Sequence, residues 1–485
     1  MQNRQAKRRV PGVSLALMAL LASADVSLTG CATLGHSAAR APASAAIETR
    51  IPALEVAGTV LANPTALVVA LKWERIGGRY PEVVRETTVT IDAKAVQTAD
   101  VLKIQLPDNL EPLVLQTIER KSRSNGTLVW SASVNKSRHE TATITIVAGI
   151  LTGSIEAPNG RAYRIRHLKG DQYLLQEIDR SKFPPEACLD LRLIGGELPL
   201  RSRFRTLATI VQSTLCVPED PADRIEVMVV FTEDALEEAQ EVATMVGAIE
   251  NAIEQTNTSY SRSGIQQRLV PIYPFLQVQY TEASSITQNL IRLTSATNPQ
   301  LTIVHDQRKA LAADIVVLVT KESDSCGLAK VMIDVSSDFA KSAFAVVPYR
   351  CMDSFSFAHE LGHLMGARHD VHQDPTRNSP FAYNHGFVQT TPSGGAPDPW
   401  FTVMGTQAWC NGKGVARCAR IGFWSTPDTT FDYYGQATGV VGESDNRQTL
   451  NTTAKTVANF LCSSSREAPN IAARSTLLSE GGKIP

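Results

Sequence analysis

The chain has 485 residues, enough for two or three domains and a sizeable core. Hydrophobic content of 43%, charged content of 20% and a formal net charge of -1 describe an ordinary globular protein; they exclude the electrostatic footprint of a nucleic-acid or other polyanion binder. Eight cysteines with no Cys-x-x-Cys pair argue against a cysteine zinc site and, with the export signal below, for disulfides in an oxidising compartment.

Arg4, Lys7, Arg8 and Arg9 precede the apolar run Val13 to Ala24. That pattern is a secretory signal, too short for a comfortable membrane span. Leu28-Thr29-Gly30-Cys31 resembles the bacterial lipoprotein cleavage box, in which the cysteine is acylated and becomes the new N-terminus. The expectation for residues 1-31 is therefore a signal peptide with lipobox, giving an exported cell-envelope protein held to the membrane through Cys31. Asp25 interrupts the apolar region, so ordinary cleavage in the Ala-rich stretch and free secretion is the alternative. Residues 32-50, rich in Ala, Ser and Pro, read as a flexible tether.

Residues 51-217 read as β-rich. Thr141 to Val147 and Tyr163 to Arg166 alternate with period two, and Asn125-Gly126 and Pro158-Asn159-Gly160 read as hairpin turns. His139 and His167 stand apart from each other and from any carboxylate pair, which makes them solvated or hydrogen-bonded side chains rather than catalytic ones.

Pro218-Glu219-Asp220-Pro221 marks a boundary. After it, Ile225 to Phe231 is a buried strand, and Thr232 caps a helix with Val242, Val246, Ile249 and Ile253 on one face. Ile265 to Tyr280 reads as strand broken by Pro271 and Pro274. Ala313 to Val319 is the strongest strand, expected at the centre of a largely parallel sheet. Ala343 to Val347 is another strand, Ser354 is the expected cap of the next helix, and Asp445-Asn446 opens the last one. Residues 463-485 lack periodicity and read as a disordered tail.

Phe357 to Asp370 carries the chemistry. His359 and His363, four apart on a helix, present two imidazoles to one point, while Phe357, Leu361 and Leu364 face the core. Gly366 allows a sharp turn, often through positive φ, that returns His369 to the same point. Three neutral nitrogen ligands with a fourth position open to water is a catalytic zinc arrangement, and Glu360 lies between the helical histidines to take that water's proton. Burying three His and one Glu without a shared partner would be costly, which argues against a merely structural helix.

His359-Glu360-x-x-His363-x-x-Gly366-x-x-His369 resembles the metzincin zinc-protease signature, and the following Asp370 resembles the adamalysin (reprolysin-like) branch, similar to secreted bacterial proteases of the peptidyl-Asp metalloendopeptidase type. The resemblance implies an α/β (α+β) catalytic domain over residues 218-462, with a mixed, mostly parallel sheet and a zinc-binding helix, preceded by a β-rich prodomain over residues 51-217, in which the run Tyr163 to Glu186, ending in Phe183-Pro184-Pro185-Glu186, carries the likeness. It implies one catalytic Zn2+ on His359, His363 and His369, Glu360 as general base, Met404 in a Met-turn, and an edge strand at Leu328, Ala329 and Lys330 against which substrate lies. It implies that Arg420 to Pro427 shapes the S1' pocket wall and that His372 and His385 are structural. The implied activity is zinc-dependent hydrolysis of protein or peptide substrates by an exported zymogen. A protease specialised for glycosylated proteins would share these ligands and differ in loops such as Pro392 to Trp400; a silent surface-binding module is the third reading, and Glu360 counts against it.

Cys326 with Cys351 and Cys410 with Cys418 are the plausible local disulfides. If Cys31 is acylated, seven cysteines remain and one is unpaired. In related metzincins a propeptide cysteine silences the zinc, and Cys188 and Cys216 are the candidates for that role.

Overall fold

A computed structural model describes residues 65-186 except 75-79, 109 and 159, Cys216, and residues 219-463 except 322-323, 392-394, 397-398 and 416. The expected signal segment, tether, Cys31, Cys188 and the tail from 464 lie outside the described residues.

The described residues of the N-terminal part are β-rich. β1 (Thr65–Val69), β2 (Val83–Thr90), α1 (Ala93–Thr98), β3 (Val101–Gln105), β4 (Leu113–Ser122), β5 (Leu128–Val134), β6 (Thr141–Val147), β7 (Ile150–Ala157), β8 (Arg161–Lys169) and β9 (Gln172–Ile178) follow in order. The nine strands pair as β1-β3-β4-β5-β6-β7-β8-β9-β2, and a bridge between Glu74 and Glu86 brings the chain leaving β1 onto β2, so the sheet curls back on itself. Period two explains its two faces. Ala142, Ile144 and Ile146 of β6 enter one apolar core with Leu102, Leu115 and Trp130, while Thr143 and Thr145 between them face the other way.

The C-terminal part begins with β10 (Arg224–Thr232), α2 (Glu233–Ala239), α3 (Val242–Arg262), β11 (Arg268–Val278), α4 (Ile286–Thr294) and α5 (Thr302–Leu311). It continues with β12 (Ile315–Thr320), β13 (Leu328–Ala329), β14 (Phe344–Pro348), α6 (Ser356–Leu364), β15 (Val388–Gln389), β16 (Trp400–Phe401), α7 (Gln407–Gly412), β17 (Ala419–Arg420) and α8 (Asn446–Val457). The main sheet runs β11-β10-β12-β14-β13, parallel except for β13, and β12 is central as its wholly apolar Ile-Val-Val-Leu-Val run requires. Alternate residues of β12 feed two cores: Val317 and Val319 pack with α3 and α6, and Val316 and Leu318 with α4 and α5.

Two expectations need adjustment here. Thr232 does cap a helix, its Oγ1 accepting from the Ala235 N–H, but the helix stops at a left-handed Gln240 and a second one, α3, begins at Val242. The prolines do not break β11; as an edge strand it tolerates missing N–H donors and absorbs them in a register shift opposite Met228 and Val230.

α3 is buried on two sides. Met245, Ile249, Ile253 and Tyr260 pack on the main sheet, whereas Asn251 donates to the Thr143 carbonyl and the Gly247 carbonyl accepts from Thr145 Oγ1. Glu254 accepts from Lys121 (2.9 Å) and Arg123 (3.0 Å), and Glu250 from Asn125 and Tyr273. The two expected histidines also belong to this junction: His167 pairs with Glu241, and His139 stacks on Tyr434 with ring centroids 4.3 Å apart. Burial, helped by Arg138 and Arg262, lowers the His139 pKa to about 4.

Disulfides join Cys326 to Cys351 and Cys410 to Cys418, as their spacing suggested. The third, Cys216 to Cys462, spans 246 residues and overturns Cys216 as a silencing thiol: its sulfur is already bonded and buried. It fastens the chain before β10 to the chain after α8.

Arg164 of β8 forms a forked ion pair with Asp353 and donates to the Arg350 carbonyl at 3.0 Å. Burial works to raise the Asp353 pKa, yet the Arg164 charge and hydrogen bonds hold it below the ordinary carboxylate value. The sign follows: a carboxyl depressed in the folded state contributes stability above its ordinary pKa and loses it as pH falls through the depressed value. Asp353→Asn is therefore expected to cost about 2–4 kcal/mol at neutral pH. In denaturant titrations that difference from wild type should stay constant down to about pH 5 and shrink below about pH 4; a difference that grows on acidification would contradict this account.

Candidate active site

α6 starts without a side-chain cap. The expected Ser354 instead bonds the Cys351 carbonyl and the Ser356 hydroxyl, and Phe355 occupies the cap position at φ 65°. A bulky residue there costs about 1–2 kcal/mol; the Arg180 guanidinium stacked 5.0 Å over its ring helps to hold it. The end of α6 follows the expected geometry. Gly366 has φ 89°, its N–H donates to the His363 carbonyl, and the Ala367 N–H donates to the Gly362 carbonyl, which is the Schellman arrangement. The chain thereby reverses and carries His369 under the helix.

His359, His363 and His369 converge: Nε2 of His369 lies 2.9 Å from Nε2 of His359 and 3.2 Å from Nε2 of His363. Nδ1 of His359 donates to the Val403 carbonyl (2.8 Å) and Nδ1 of His363 to the Ala367 carbonyl (2.9 Å). With protons fixed on Nδ1, both Nε2 lone pairs face one point, as metal ligands need. Burial first, and the neighbouring imidazoles or arginines after it, push the His359 and His369 pKa values well below the ordinary value, and burial lowers His363 to about 4. All three are neutral donors at neutral pH. They form the group able to hold a metal ion among the described residues, and their donor set fits a borderline cation such as zinc.

Glu360 is fully buried, and its carboxylate meets no side-chain donor, its polar neighbour being the Ala329 backbone. Burial, then the Glu186 charge, raises its pKa well above the ordinary value, against smaller lowering effects of Arg420 and the Ala329 backbone. Gly327 makes room for it: a Cβ at that position would collide with Glu360 Oε1. A buried carboxylate without a side-chain donor, beside three convergent nitrogens, has the chemistry of a proton acceptor for a group held between them.

The floor is built by Thr402 to Gly405, a tight turn closed by the Gly405 N–H on the Thr402 carbonyl. Met404 in it is buried in the same core as Leu361 and Leu364. Asp370 ties this turn to the third histidine, accepting from the Thr406 N–H (3.0 Å) and Oγ1 (2.8 Å). His385 contacts the His369 and Thr376 carbonyls and His372 stacks on Trp409, so neither joins the cluster. Leu328 and Ala329 form β13, the antiparallel edge strand, with Lys330 just beyond it.

Sequence reasoning named Glu186 and Arg420 only as the ends of longer segments and missed that they pair beside this centre. After β9 the chain runs through an Asp179-capped turn (Arg180–Lys182) into Phe183-Pro184-Pro185-Glu186, which crosses the site. The Pro185 carbonyl accepts from the Cys326 N–H at 3.0 Å, just upstream of β13. Glu186 Oε1 accepts from Arg420 (2.6 Å) and the Ser356 hydroxyl (2.7 Å), and Arg420 comes within 3.4 Å of His359 Nδ1. A cavity of about 320 Å3 opens between this strap and the floor, touching His369, Phe401, Gln407 and Arg420. Glu186 and Arg420 are 234 positions apart, a separation that leaves no local trace of their pairing.

A neutral three-histidine centre beside a buried carboxylate, next to the edge strand β13, has the make-up of a metallopeptidase site. Residues 222–413 match the metallo-peptidase family M12. The chain is 29% identical over 391 residues to a peptidyl-Asp metalloendopeptidase of Stenotrophomonas maltophilia (strain R551-3), covering 77% of this chain and 87% of that protein. It is 30% identical over 311 residues to the protein so named in strain K279a (64% and 68% covered), and 27% identical over 395 residues to that of Xanthomonas campestris pv. campestris (78% and 87%). The chain belongs to metallo-peptidase family M12 and is a metalloendopeptidase.

Gly366 supports the third ligand through a backbone conformation, which can be tested apart from any ligand. Gly366→Ala should destabilise the protein by about 1–2 kcal/mol from the φ alone, since its Cβ would also meet Pro380 Cγ at 2.9 Å. Bound metal per chain should fall with it; full metal content at unchanged melting temperature would show that this turn does not set the site.

Proposed function

We propose that this protein is an exported zinc endopeptidase, made as a latent precursor, in which His359, His363 and His369 hold one Zn2+ and Glu360 is the general base. The observation that carries the reading is the fully buried Glu360 carboxylate, without a side-chain donor, beside three inward-facing imidazole nitrogens. Bound zinc supplies an acidified water and polarises the scissile carbonyl. The extended substrate adds to the free edge of β13, and the backbone pairing of Pro185 with Cys326 supports that mode of entry. Glu360 accepts the proton of the attacking water and delivers it to the nitrogen of the departing peptide, so a C–N bond breaks as a C–O bond forms. Burial of Met404 under the helix keeps the ligand side chains in place.

The names of the relatives support substrates cut beside aspartate. The N-terminal sheet acts as a prosegment that covers the site until it is removed, and Leu28-Thr29-Gly30-Cys31 supports export with a lipid on Cys31. Cys31→Ser should then move the protein from the membrane to the soluble fraction.

Glu360→Ala should lower peptide hydrolysis by at least about 10²–10⁴-fold while zinc stays bound at one ion per chain by elemental analysis. Loss of zinc and fold together would make Glu360 structural instead, and undiminished hydrolysis would remove it from the mechanism. Chelation of wild type should abolish activity and added zinc should restore it.

A further inference from the structure

Arg420 stands out among the buried cations because of where its partner comes from. Within the C-terminal part, among the described residues, its guanidinium donates to neutral acceptors, the Ser354 carbonyl at 3.2 Å and the Ser356 hydroxyl at 3.5 Å, lies 3.4 Å from His359 Nδ1, and reaches the Glu360 carboxylate through its charge rather than by an ion pair, while with the strap in place its side chain is 9% exposed. Its carboxylate partner, Glu186, arrives on the strap from the N-terminal sheet. A buried guanidinium without a carboxylate is costly, so a surface that keeps one where the strap can leave is built to receive another acid.

Position says which acid. Arg420 approaches the ring of His359, and the cavity beside it reaches His369, so an acidic side chain bound there belongs to a residue adjoining the bond held at the three histidines. The strap itself lies as a substrate would, extended through two prolines with a carbonyl bonded to the backbone just before β13. Its engagement is incomplete: Glu186 binds through Oε1, while Glu186 Oε2 and Arg420 Nε have no partner. A carboxylate set at a different depth could use both and form the stronger bidentate pair.

We propose that Arg420, with the Ser356 hydroxyl, is the receptor for an acidic side chain on the residue flanking the scissile bond, and that Glu186 fills this receptor in the precursor. The assignment rests on the endopeptidase reading above and names its specificity-determining residue and its internal competitor. Because a Glu occupies the receptor, it admits glutamate as well as the shorter aspartate.

The test uses enzyme matured from the full chain and two synthetic heptapeptides with the sequence of residues 180-186, one ending in Glu and one in Gln, each labelled for fluorescence anisotropy. The Glu peptide should bind competitively with substrate, and the Gln peptide about 10²-fold more weakly, as removal of one partner of a buried charge pair implies. Equal affinities would overturn the proposal, and this arm reads binding even if no peptide is cut. In the second arm, Arg420→Gln should bring the ratio of kcat/KM for paired Asp and Asn substrates close to one, with zinc content retained. Persistence of the acidic preference in that variant would also overturn it. Should Arg420→Gln fail to fold, the peptide pair on wild type decides alone. Matured wild type that cuts no peptide yet binds the Glu peptide selectively would sink the endopeptidase reading and leave the receptor standing.

Discussion

Burial of three imidazoles and a carboxylate around one nine-residue helix is the constraint on which the rest of the C-terminal structure depends. Every residue of α6 is shut off from water, so each polar atom must find a partner in the protein or in what the site holds. The Val403 and Ala367 carbonyls meet that demand for two imidazoles, which dictates where the turn below the helix and the reversal at Gly366 must lie. Asp370 then locks those two pieces to each other through Thr406. The apolar face of α6 against the main sheet does the complementary work, because Phe357, Leu361 and Leu364 fix the helix from the side away from the histidines.

The same economy of charge governs the strap. Glu186 and Glu360 are two carboxylates near one centre, and Arg420 stands close enough to both to act on each. Packing three buried ionisable groups this way is tolerable because one guanidinium serves where two like charges would otherwise repel. Arg180 braces the arrangement from the strap itself, donating to the Arg420 carbonyl at 3.2 Å and to Glu156 at 3.3 Å.

What the sequence makes legible is what is local. His359, His363, Gly366 and His369 lie within eleven positions, so helix period and one glycine suffice to bring them together. β12 is legible because a strand buried on both faces has no polar residue to disguise it, and the disulfides with sequence separations of 25 and 8 are legible because cysteines so close in sequence have few choices. Cys216 with Cys462 is not, since a separation of 246 residues leaves no local trace. Ser354 looked like a helix cap because its type is right; its hydroxyl is taken up by Cys351 and Ser356. Glu250 and Glu254 mark the limit of periodicity arguments, because a polar helix face docked on another sheet has the same composition as one facing solvent. Glu186 and Arg420 fail for the same reason at greater distance.

The threonine face of β6 and the polar face of α3 have a further consequence. Where the two sheets meet here, the contact is made by hydroxyls, carbonyls, an amide and ion pairs rather than by aliphatic side chains. Along α3 itself such surfaces part without leaving a greasy patch, while the aromatic contacts of His139 with Phe423, Tyr433 and Tyr434 lie off that helix. If the N-terminal sheet is removed, Asn251, Glu250 and Glu254 become ordinary hydrated groups and add negative charge to the exposed helix, which favours a soluble, non-aggregating product. A seam sealed by leucines would hold as well while closed, and would make the released enzyme prone to self-association once opened.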